Sequence, residues 1–495
     1  MEKIELPLSN LFKDIKYKEW RGAKDITISS IEMDSRRVAP ACCFVAVKGT
    51  LSDGHDYIAA AIERGAVAVV CQSAPHDVPQ GVAIIIVEAS HIALGELSSA
   101  FYGHPSRSLK LVGVTGTNGK TTTATLLYNM YRALGYTAGL ISTVVYRIGE
   151  KSINSTHTTP DAIRLNAMLR EMVDCGCDYC FMEVSSHSVV QGRIAGLQFA
   201  GALFSNITHD HLDYHHTFAE YIRAKKGLFD SLDKQAFALT NIDDRNGDVM
   251  LQNCKAHKYS YSLRSMADFR AKVQEMHLDG MLLTIDGEHE VWVGSTGRFN
   301  AYNMLAVYSV ARLLGTSREE ALCALSALKA VCGRFETINL GGGVTAIVDY
   351  AHTPDALESV LQTVDDVRCC EGGLIVVCGC GGDRDRTKRG EMAKIATRYA
   401  STAIFTSDNP RHERAEDILN EMEAGVDSPS ARYVKIVDRR EAIRTAMMMA
   451  RAGDVIVVAG KGHEKYQIVG DEKLPFDDHQ VIEEYKNLKD VLISP

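Results

Sequence analysis

The sequence predicts an α/β protein with three domains, at residues 1–107, 108–336 and 337–495. Its 495 residues, 46% of them hydrophobic, exceed what one core can bury, and domains of roughly 150 residues divide the chain into three. A glycine-rich turn joins a strand pattern to a helix pattern near residue 116. After residue 344, apolar strand patterns alternate with helical stretches, as in a Rossmann-like, doubly wound parallel sheet.

Composition excludes several classes of protein. No apolar run approaches the ~20 residues of a membrane span, and Met1–Glu5 lacks signal-peptide character, so we expect a soluble, cytoplasmic chain. The net charge of −9 gives no general attraction to nucleic acid or to an anionic membrane. The 13 cysteines lack framework spacing and indicate free thiols in a reducing compartment. Those at 175, 177, 180, 378 and 380 are interpreted as buried structural thiols rather than zinc ligands.

The first domain is predicted to be a small α/β unit. Its strand patterns are Phe44–Val47, Ala66–Cys71 and Val82–Val87. Two polar pieces, Asp34–Arg37 and Lys48–His55, flank the first strand. Their donors suit a phosphorylated ligand, but on these residues alone a solvated turn is the better interpretation.

The central domain is organised around the glycine-rich turn, which follows the apolar strand Leu111–Val114 and precedes a helix ending at Gly135. Backbone N–H groups, a helix N-terminus and the Lys120 ammonium would meet at one point, and the Thr121 hydroxyl could bind Mg²⁺. This combination predicts a site for a nucleoside triphosphate. A strict phosphate-loop pattern would place its first glycine at Val114, so the loop is a shorter variant; a chance turn is the alternative. Its residues are Gly116, Thr117, Asn118, Gly119, Lys120, Thr121 and Thr122.

Two later strand patterns also end in polar residues. Glu183 follows Tyr179–Met182, and the cluster His209–His216 follows Gly201–Ile207. Because ligands collect at the carboxyl ends of parallel strands, Glu183 is a candidate metal ligand. Each histidine alone is more often structural, although their position raises the chance that one binds a ligand.

The next helix carries a lysine where an apolar residue is expected. Thr217 fits an N-cap, so the helix should begin at Phe218. Lys225 then falls on the inward stripe, four residues from both Tyr221 and Phe229. It either snorkels to water or points into the nucleotide site.

Towards the end of the central domain, Asp286-Gly287 predicts a hairpin, and Asn300 is expected to cap a helix. In the last domain, Thr353 and Pro354 should start a helix. The strands Leu374–Cys378, Thr402–Thr406 and Val455–Ala459 end in polar loops that should meet at one sheet edge. Arginines and carboxylates in these loops suit an amino-acid-like substrate. A dinucleotide is the rival ligand, although the full G-x-G-x-x-G spacing is absent.

Over nearly its whole length the sequence resembles the Mur ligase family. The most specific matches are Gly116–Thr122, Glu183–His187, Asp210–His215, Tyr350–Asp355, Gly381–Asp385, Asp408–Arg411 and Gly460–Glu464. One departure from the family pattern is Gly390, where proline usually follows Arg389 and would fix its position.

The resemblance implies roles for individual residues. Catalytic roles fall to Lys120, Glu183, His211 and Lys225, with Mg²⁺ held by Thr121, Glu183, His211 and a carboxylated Lys225. ATP would contact the phosphate loop together with Asn300, Asn303, Arg334 and Asp349. The UDP-linked substrate would contact Ser35, Thr158, Thr159, Ser185, Gln191 and Arg193. The incoming amino acid would contact Arg389, Asp408, Asn409, Arg411, Gly460 and Glu464.

The resemblance also implies an activity. The family pattern implies ATP-dependent addition of meso-2,6-diaminopimelate to the D-Glu γ-carboxylate of UDP-N-acetylmuramoyl-L-Ala-D-Glu, through an acyl phosphate. Arg411 would pair with the distal carboxylate of diaminopimelate, which argues against a lysine-adding relative. Folylpolyglutamate synthetase, a P-loop hydrolase or switch, and a non-catalytic nucleotide-binding scaffold are rival functions. A monomer fits three domains that close on each other.

Overall fold

The computed structural model describes residues 4–49, 52–75, 79–208, 210, 212–368 and 372–493. The predicted α/β class is confirmed, because sheets of five, eleven and six strands are packed against helices. These sheets lie in residues 19–86, 110–293 and 336–459, and the domain boundaries themselves stay a prediction. Within the described ranges, no helix has both the length and the apolar character needed to cross a membrane.

The first unit is built on a five-stranded sheet of order β2-β7-β6-β5-β4. Its core continues into the next unit, because Ala162 packs with Leu94, Leu97 and Phe101. Short 3₁₀ helices lie at Ser35–Arg37, Gly54–Tyr57 and Pro105–Arg107. The elements are β1 (Leu6–Pro7), α1 (Leu8–Leu11), β2 (Glu19–Arg21), β3 (Thr27–Ile28), β4 (Ser30–Glu32), β5 (Cys42–Val45), α2 (Ile58–Glu63), β6 (Ala66–Cys71), β7 (Ala83–Ile86) and α3 (Ser90–Phe101).

The central unit contains an eleven-stranded sheet whose two faces carry separate hydrophobic cores. Its elements are β8 (Lys110–Thr115), α4 (Lys120–Ala133), β9 (Ala138–Ile141), β10 (Val145–Ile148), β11 (Lys151–Asn154), α5 (Ala162–Asp174), β12 (Tyr179–Glu183), α6 (Ser186–Val190), β13 (Gly201–Phe204), α7 (Leu212–His215), α8 (Phe218–Asp230), β14 (Phe237–Asn241), α9 (Gly247–Leu251), β15 (His257–Ser262), β16 (Phe269–His277), β17 (Gly280–Ile285), β18 (His289–Val293), α10 (Arg298–Leu313) and α11 (Arg318–Ser326).

The strand order of this sheet is β11-β10-β9-β12-β8-β13-β14-β15-β16-β17-β18. Neighbouring strands from β9 to β16 are parallel, whereas the strands at both edges are antiparallel and include the predicted hairpin. Strand β8 lies between β12 and β13, and the chain passes from one side of β8 to the other between these two strands. Ligands bind at such a switch point, beyond the carboxyl ends of the strands.

The last unit has a six-stranded sheet of order β19-β20-β24-β21-β22-β23, parallel except at β19. Its elements are β19 (Glu336–Asn339), β20 (Thr345–Asp349), α12 (Pro354–Val367), β21 (Leu374–Cys378), α13 (Lys388–Tyr399), β22 (Thr402–Phe405), α14 (Ala415–Glu423), β23 (Tyr433–Lys435), α15 (Arg439–Met449), β24 (Val455–Ala459), β25 (Tyr466–Val469), β26 (Glu472–Pro475) and α16 (Asp478–Ile493).

Local signals in the sequence locate several element ends correctly. The Thr217 and Thr353 hydroxyls cap α8 and α12, and Asp286 and Gly287 take positive φ values in the β17–β18 hairpin. The prediction that Asn300 caps a helix is wrong, because α10 begins at Arg298 with Gly297 as its cap. The thiol prediction is wrong for Cys175, which is exposed, whereas the other four cysteines in question are buried.

Helix α13 closely approaches the segment after α14 where two glycines meet. A Cβ atom on Gly425 would lie 2.2 Å from the Gly390 Cα, whereas one on Gly390 would lie 3.2 Å from the Gly425 Cα. Gly390 therefore has a role in helix packing, which accounts for a small residue at this position.

We expect Gly425→Ala to lower the free energy of unfolding by about 1–3 kcal/mol, because the added methyl group meets rigid backbone atoms. Gly390→Ala should lower it less, since its contact is longer. Thermal unfolding midpoints of both variants and the wild type check this. Equal midpoints for the two variants would contradict it.

Candidate active site

The phosphate loop connects β8 to α4 and is held by backbone contacts with the segment after β13. Gly116 has φ +151°, and a Cβ atom there would lie 2.0 Å from the Ser205 Oγ. The Thr117 N–H donates to the Asn206 carbonyl (2.8 Å), and the Asn118 N–H donates to the Asn206 side-chain oxygen (2.9 Å). The first-turn N–H groups of α4 have no intrahelical partner and are open to an anion.

Two lysine side chains converge on the loop. Lys120 Nζ donates to the carbonyls of Gly116 (2.9 Å) and Thr117 (2.8 Å), and Lys225 Nζ donates to that of Gly116 (2.7 Å). Lys225 is only 1% exposed, so the snorkelling interpretation is wrong. Burial lowers its pKa well below the usual range, and the neighbouring Lys120 charge lowers that pKa further, while Asp210 raises it.

Glu183 ends β12 beside the loop and is fully buried. Its carboxylate accepts from the Thr143 N–H (2.7 Å) and the Thr143 hydroxyl (3.2 Å). Burial lowers the pKa of Lys120, and the charges of Glu183 and Asp210 oppose that shift, so these groups surround one point.

The donor set suits Mg²⁺ bound together with a nucleotide. The described side chains contain no group of three or more His, Cys, Asp or Glu spaced to hold a metal ion. Mg²⁺ commonly takes only one or two carboxylates and completes its shell with phosphates and water. Glu183 and the Thr121 hydroxyl meet that requirement. His209 and His211 lie outside the described residues.

A cavity of about 300 Å³ lies between the central and last units, next to the loop. Asn300, Asn303, Arg334 and Asp349 all line it. Asn303 Nδ2 donates to Asn300 Oδ1 (3.1 Å), and Arg334 donates to the Thr121 hydroxyl (3.1 Å). The Asp349 carboxylate accepts from two backbone N–H groups at 2.7 Å, and burial raises its pKa.

A hydrogen-bonded group of polar residues lies beside Glu183. The Thr159 hydroxyl donates to the Glu183 carbonyl (2.8 Å) and accepts from the Ser185 N–H (3.3 Å). Arg193 donates to the Thr159 carbonyl (2.6 Å) and to Gln191 Oε1 (2.6 and 3.0 Å). Thr158 accepts from the Thr143 hydroxyl (3.0 Å). Five predicted substrate residues thus come together, whereas Ser35 lies in the first unit, in the 3₁₀ helix Ser35–Arg37.

A second cavity, of about 810 Å³, opens at the carboxyl edge of the last unit's sheet. Of the residues predicted for the amino acid, Asp408, Asn409, Arg411, Gly460 and Glu464 line it. Thr158, His187 and Asp210 of the central unit form its far wall, and Tyr350 and His352 border both cavities. The arrangement places a cavity lined by arginines and carboxylates next to the smaller cavity beside the phosphate loop.

Three family models match successive parts of the chain. Residues 27–102 match "Mur ligase family, catalytic domain", residues 114–311 match "Mur ligase middle domain" and residues 333–462 match "Mur ligase, glutamate ligase domain". The chain belongs to the Mur ligase family.

Similar proteins cover almost the full length of this Mur ligase. The UDP-N-acetylmuramoyl-L-alanyl-D-glutamate--2,6-diaminopimelate ligase of Phocaeicola vulgatus is 54% identical, over 96% of this chain and 99% of its own. The protein of the same name from Bacteroides fragilis is 51% identical over 98% of this chain and 100% of its own. A solved structure with this name is 30% identical and superposes with a TM-score of 0.71, covering 98% of this chain and 99% of its own.

One residue predicted for the amino-acid site does not fit the geometry. Arg389 is fully buried in α13, where its guanidinium binds Glu413 (2.7 and 2.9 Å) and Glu421 (2.7 Å) of the α14 region. It does not line the cavity, whereas Arg384, five residues earlier, does. The structure contradicts this assignment, because Arg389 lies in α13 against two glutamates, whereas Arg384 lies in the preceding loop at the cavity.

Sequence reasoning also missed residues that hold others in place. Asn206 pins the phosphate loop, Thr143 binds Glu183, and Lys388 lines the second cavity and donates to the His352 carbonyl (3.0 Å). A signal existed for Asn206, because it follows a strand of the parallel sheet. Thr143 follows a short strand, β9, that was not predicted.

We expect Arg389→Met to lower the unfolding midpoint, because it leaves Glu413 and Glu421 without their shared cation. The Arg389 hydrogen bonds lower the pKa of Glu413 to about 2, from 4.5. A lowered pKa contributes stability that is present above pH 4.5 and lost as pH falls towards 2, so the difference from wild type should shrink over that range.

Thermal unfolding of both proteins across pH measures this. Arg398→Met, which removes a more exposed pair with Glu358, is the control and should change the midpoint little. A difference that stays constant from neutral pH to pH 2 would contradict the assignment.

Proposed function

We propose that this Mur ligase joins meso-2,6-diaminopimelate to the D-Glu γ-carboxylate of UDP-N-acetylmuramoyl-L-Ala-D-Glu, consuming ATP and releasing ADP and phosphate. The observation that carries the proposal is the second cavity, which brings Arg384 and Arg411 together with Asp408 and Glu464. The names of the relatives, at 51–54% identity over nearly the whole chain, support it.

The charges in the cavity favour diaminopimelate over lysine. Diaminopimelate carries a carboxylate at each end, whereas the far end of lysine is an ammonium group. Arg411 Nη1 donates to the Gly382 carbonyl (2.7 Å), which holds the guanidinium beside the loop that carries Arg384. Two arginines can each receive a carboxylate and would repel an ammonium in the same place.

In the first step, a carboxylate oxygen of D-Glu attacks the γ-phosphorus of ATP and ADP leaves. The α4 N-terminus and Lys120 would bind the phosphates, and Asn300 and Asn303 would border the base. Arg334 and Asp349 would approach from the last unit. Thr121, Glu183, His211 and a carboxylated Lys225 would hold Mg²⁺, which when bound would neutralise charge on the phosphates.

In the second step, the free amine of diaminopimelate attacks the acyl carbon, and phosphate leaves with one oxygen of the former carboxylate. Thr158, Thr159, Ser185, Gln191 and Arg193 would hold the muramoyl peptide so that its carboxylate lies between the two cavities. Ser35 would contact the distant UDP end. Closure of the units around the acyl phosphate would exclude water, which competes with the amine.

Carboxylation of Lys225 fits its surroundings. A neutral lysine amine reacts with CO₂ to give a carbamate and one proton, and burial that lowers the Lys225 pKa favours the neutral amine. The carbamate is an anion next to Lys120, so it would replace a repulsion between two cations with an attraction.

Other functions make different demands on the site. A folylpolyglutamate synthetase has no need of the unit that matches a Mur ligase model over residues 27–102. A P-loop hydrolase or a scaffold has no need of the second cavity. We also infer a cytoplasmic location, since the eleven described cysteines are free thiols, as is typical of a reducing compartment. A monomer fits three units that close on each other.

The proposal is tested by ATP-dependent phosphate release with the UDP-linked dipeptide, comparing meso-diaminopimelate with L-lysine. We expect turnover with diaminopimelate and little with lysine. Arg384→Met or Arg411→Met should raise the KM for diaminopimelate by about 10- to 100-fold, the cost of one charge-assisted hydrogen bond.

Arg386→Met is the matched control, because Arg386 lies in the same loop but pairs with Glu421 outside the cavity. Its KM should stay near that of the wild type. Efficient turnover with lysine, or equal effects of the three substitutions, would overturn the selectivity argument. Turnover without any amine would favour a hydrolase.

The Lys225 proposal predicts a carbamate signal when the wild type is equilibrated with ¹³C-labelled CO₂ and examined by ¹³C NMR. Lys225→Met should lack that signal and lose turnover by about 100-fold or more, because an anion in the phosphate site is missing. Lys226→Met is the control, since Lys226 pairs with Asp230 on the same helix. A signal that persists in Lys225→Met would contradict the assignment.

A further inference from the structure

A fully buried lysine lies behind the wall of the second cavity. Lys461, in the loop after β24, is 0% exposed and is not among the residues that line the cavity. Its Nζ donates to Asn409 Oδ1 (3.0 Å) and to Glu464 Oε2 (3.0 Å). Both acceptors belong to cavity residues, so the buried cation joins two loops from behind.

The Asn409 amide is almost fully occupied by this arrangement. Its Oδ1 accepts from Lys461 Nζ and from the Ile468 N–H (2.9 Å), which uses both lone pairs. Its Nδ2 donates to Glu464 Oε2 (2.9 Å). These three hydrogen bonds of the Asn409 side chain all go to protein groups, and the two donors on its oxygen fix the orientation of the amide.

Glu464 is held by one oxygen only. Its Oε2 accepts from both Lys461 and Asn409, whereas Oε1 has no hydrogen-bond donor among the residues that the structure describes. The side chain lines the cavity and is 14% exposed. One carboxylate oxygen is thus anchored, and the other is left for a ligand that donates.

We propose that Lys461 is a positioning residue for the ligase reaction, which together with Asn409 anchors Glu464 so that its Oε1 receives an ammonium group of the incoming amino acid. Asn409 then supports Glu464 in addition to lining the cavity. The inference rests on the proposed function, since it concerns the amine end of the same substrate.

The physical reason lies in the cost of burying the two charges. A buried ammonium needs partners, and a carboxylate that loses the charged one of its two donors is held less firmly and can turn towards water. Such a turn removes the fixed acceptor. The Ile468 N–H that binds Asn409 belongs to the β25–β26 hairpin, so the same contacts also keep that hairpin against the cavity.

The test compares Lys461→Met with the wild type in the phosphate-release assay. We expect the KM for meso-diaminopimelate to rise by about tenfold or more, the usual cost of a lost hydrogen bond to a charged group. The KM for ATP should stay within about twofold, because no contact of the nucleotide cavity changes.

Glu464→Gln completes a double-mutant cycle. If Lys461 acts through Glu464, adding Lys461→Met to Glu464→Gln should raise the KM by less than about twofold. Lys435→Met is the matched control, because Lys435 Nζ also binds an asparagine oxygen (Asn420, 2.9 Å) and a glutamate (Glu423, 2.6 Å) in the same unit, outside the cavity. It should leave the KM for diaminopimelate unchanged.

Lys461→Gln, which keeps one donor, replaces Lys461→Met in the cycle if the latter does not fold. An unchanged or lowered KM for diaminopimelate in Lys461→Met would overturn the proposal. A rise in that KM that is as large in the Glu464→Gln background as in the wild type would also overturn it. Absence of wild-type turnover with diaminopimelate would instead refute the proposed function, so the two failures are distinguishable.

Discussion

The active site depends on two lysine ammonium groups that share one backbone carbonyl. Lys120 and Lys225 both donate to the Gly116 oxygen, at 2.9 and 2.7 Å, in a place with little access to water. Burial lowers the pKa of Lys225 well below its usual range, and the nearby charge of Lys120 lowers it further. The site therefore demands anions, which the phosphates of ATP and a carbamate on Lys225 would supply. The positive φ of Gly116 and the clamp by Asn206 keep that carbonyl in place.

The sheets of the central and last units place this centre next to the second cavity, which would hold the amine of diaminopimelate. Glu183 and the phosphate loop stand at the carboxyl ends of neighbouring parallel strands, β12 and β8. The loops after β20, β21, β22 and β24 form the second cavity from the opposite side. Tyr350 and His352 border both cavities, so a reactant in one lies next to a reactant in the other. That geometry suits a reaction in which a carboxylate is first phosphorylated and then transferred to an amine.

Much of the fold follows from short-range signals in the sequence. The strand–loop–helix at residues 110–133, the caps at Thr217 and Thr353 and the inward position of Lys225 each depend on residues within a few turns of chain. The sequence wrongly predicted Asn300 as the cap of α10, because the helix begins two residues earlier, at Arg298. Its cap is Gly297, which has no side chain to mark the position in the sequence.

Side-chain direction in the loops could not be predicted in the same way. Arg384 and Arg389 differ by five positions, yet one faces the cavity and the other is drawn into the α13–α14 contact by Glu413 and Glu421. Nothing local to the sequence marks those glutamates as partners. The contacts of Lys461 behind the cavity likewise join Asn409 and Glu464 across distant parts of the chain.

The proposed mechanism requires that the γ-carboxylate becomes an acyl phosphate before the amine attacks. The most direct test uses UDP-N-acetylmuramoyl-L-Ala-D-Glu labelled with ¹⁸O in the γ-carboxylate, with ATP and meso-diaminopimelate, and mass spectrometry of the phosphate released. This mechanism predicts that one ¹⁸O atom passes to each phosphate, because the oxygen that attacked phosphorus leaves with it. Unlabelled phosphate during turnover would mean that water attacked ATP, and would contradict an acyl phosphate intermediate.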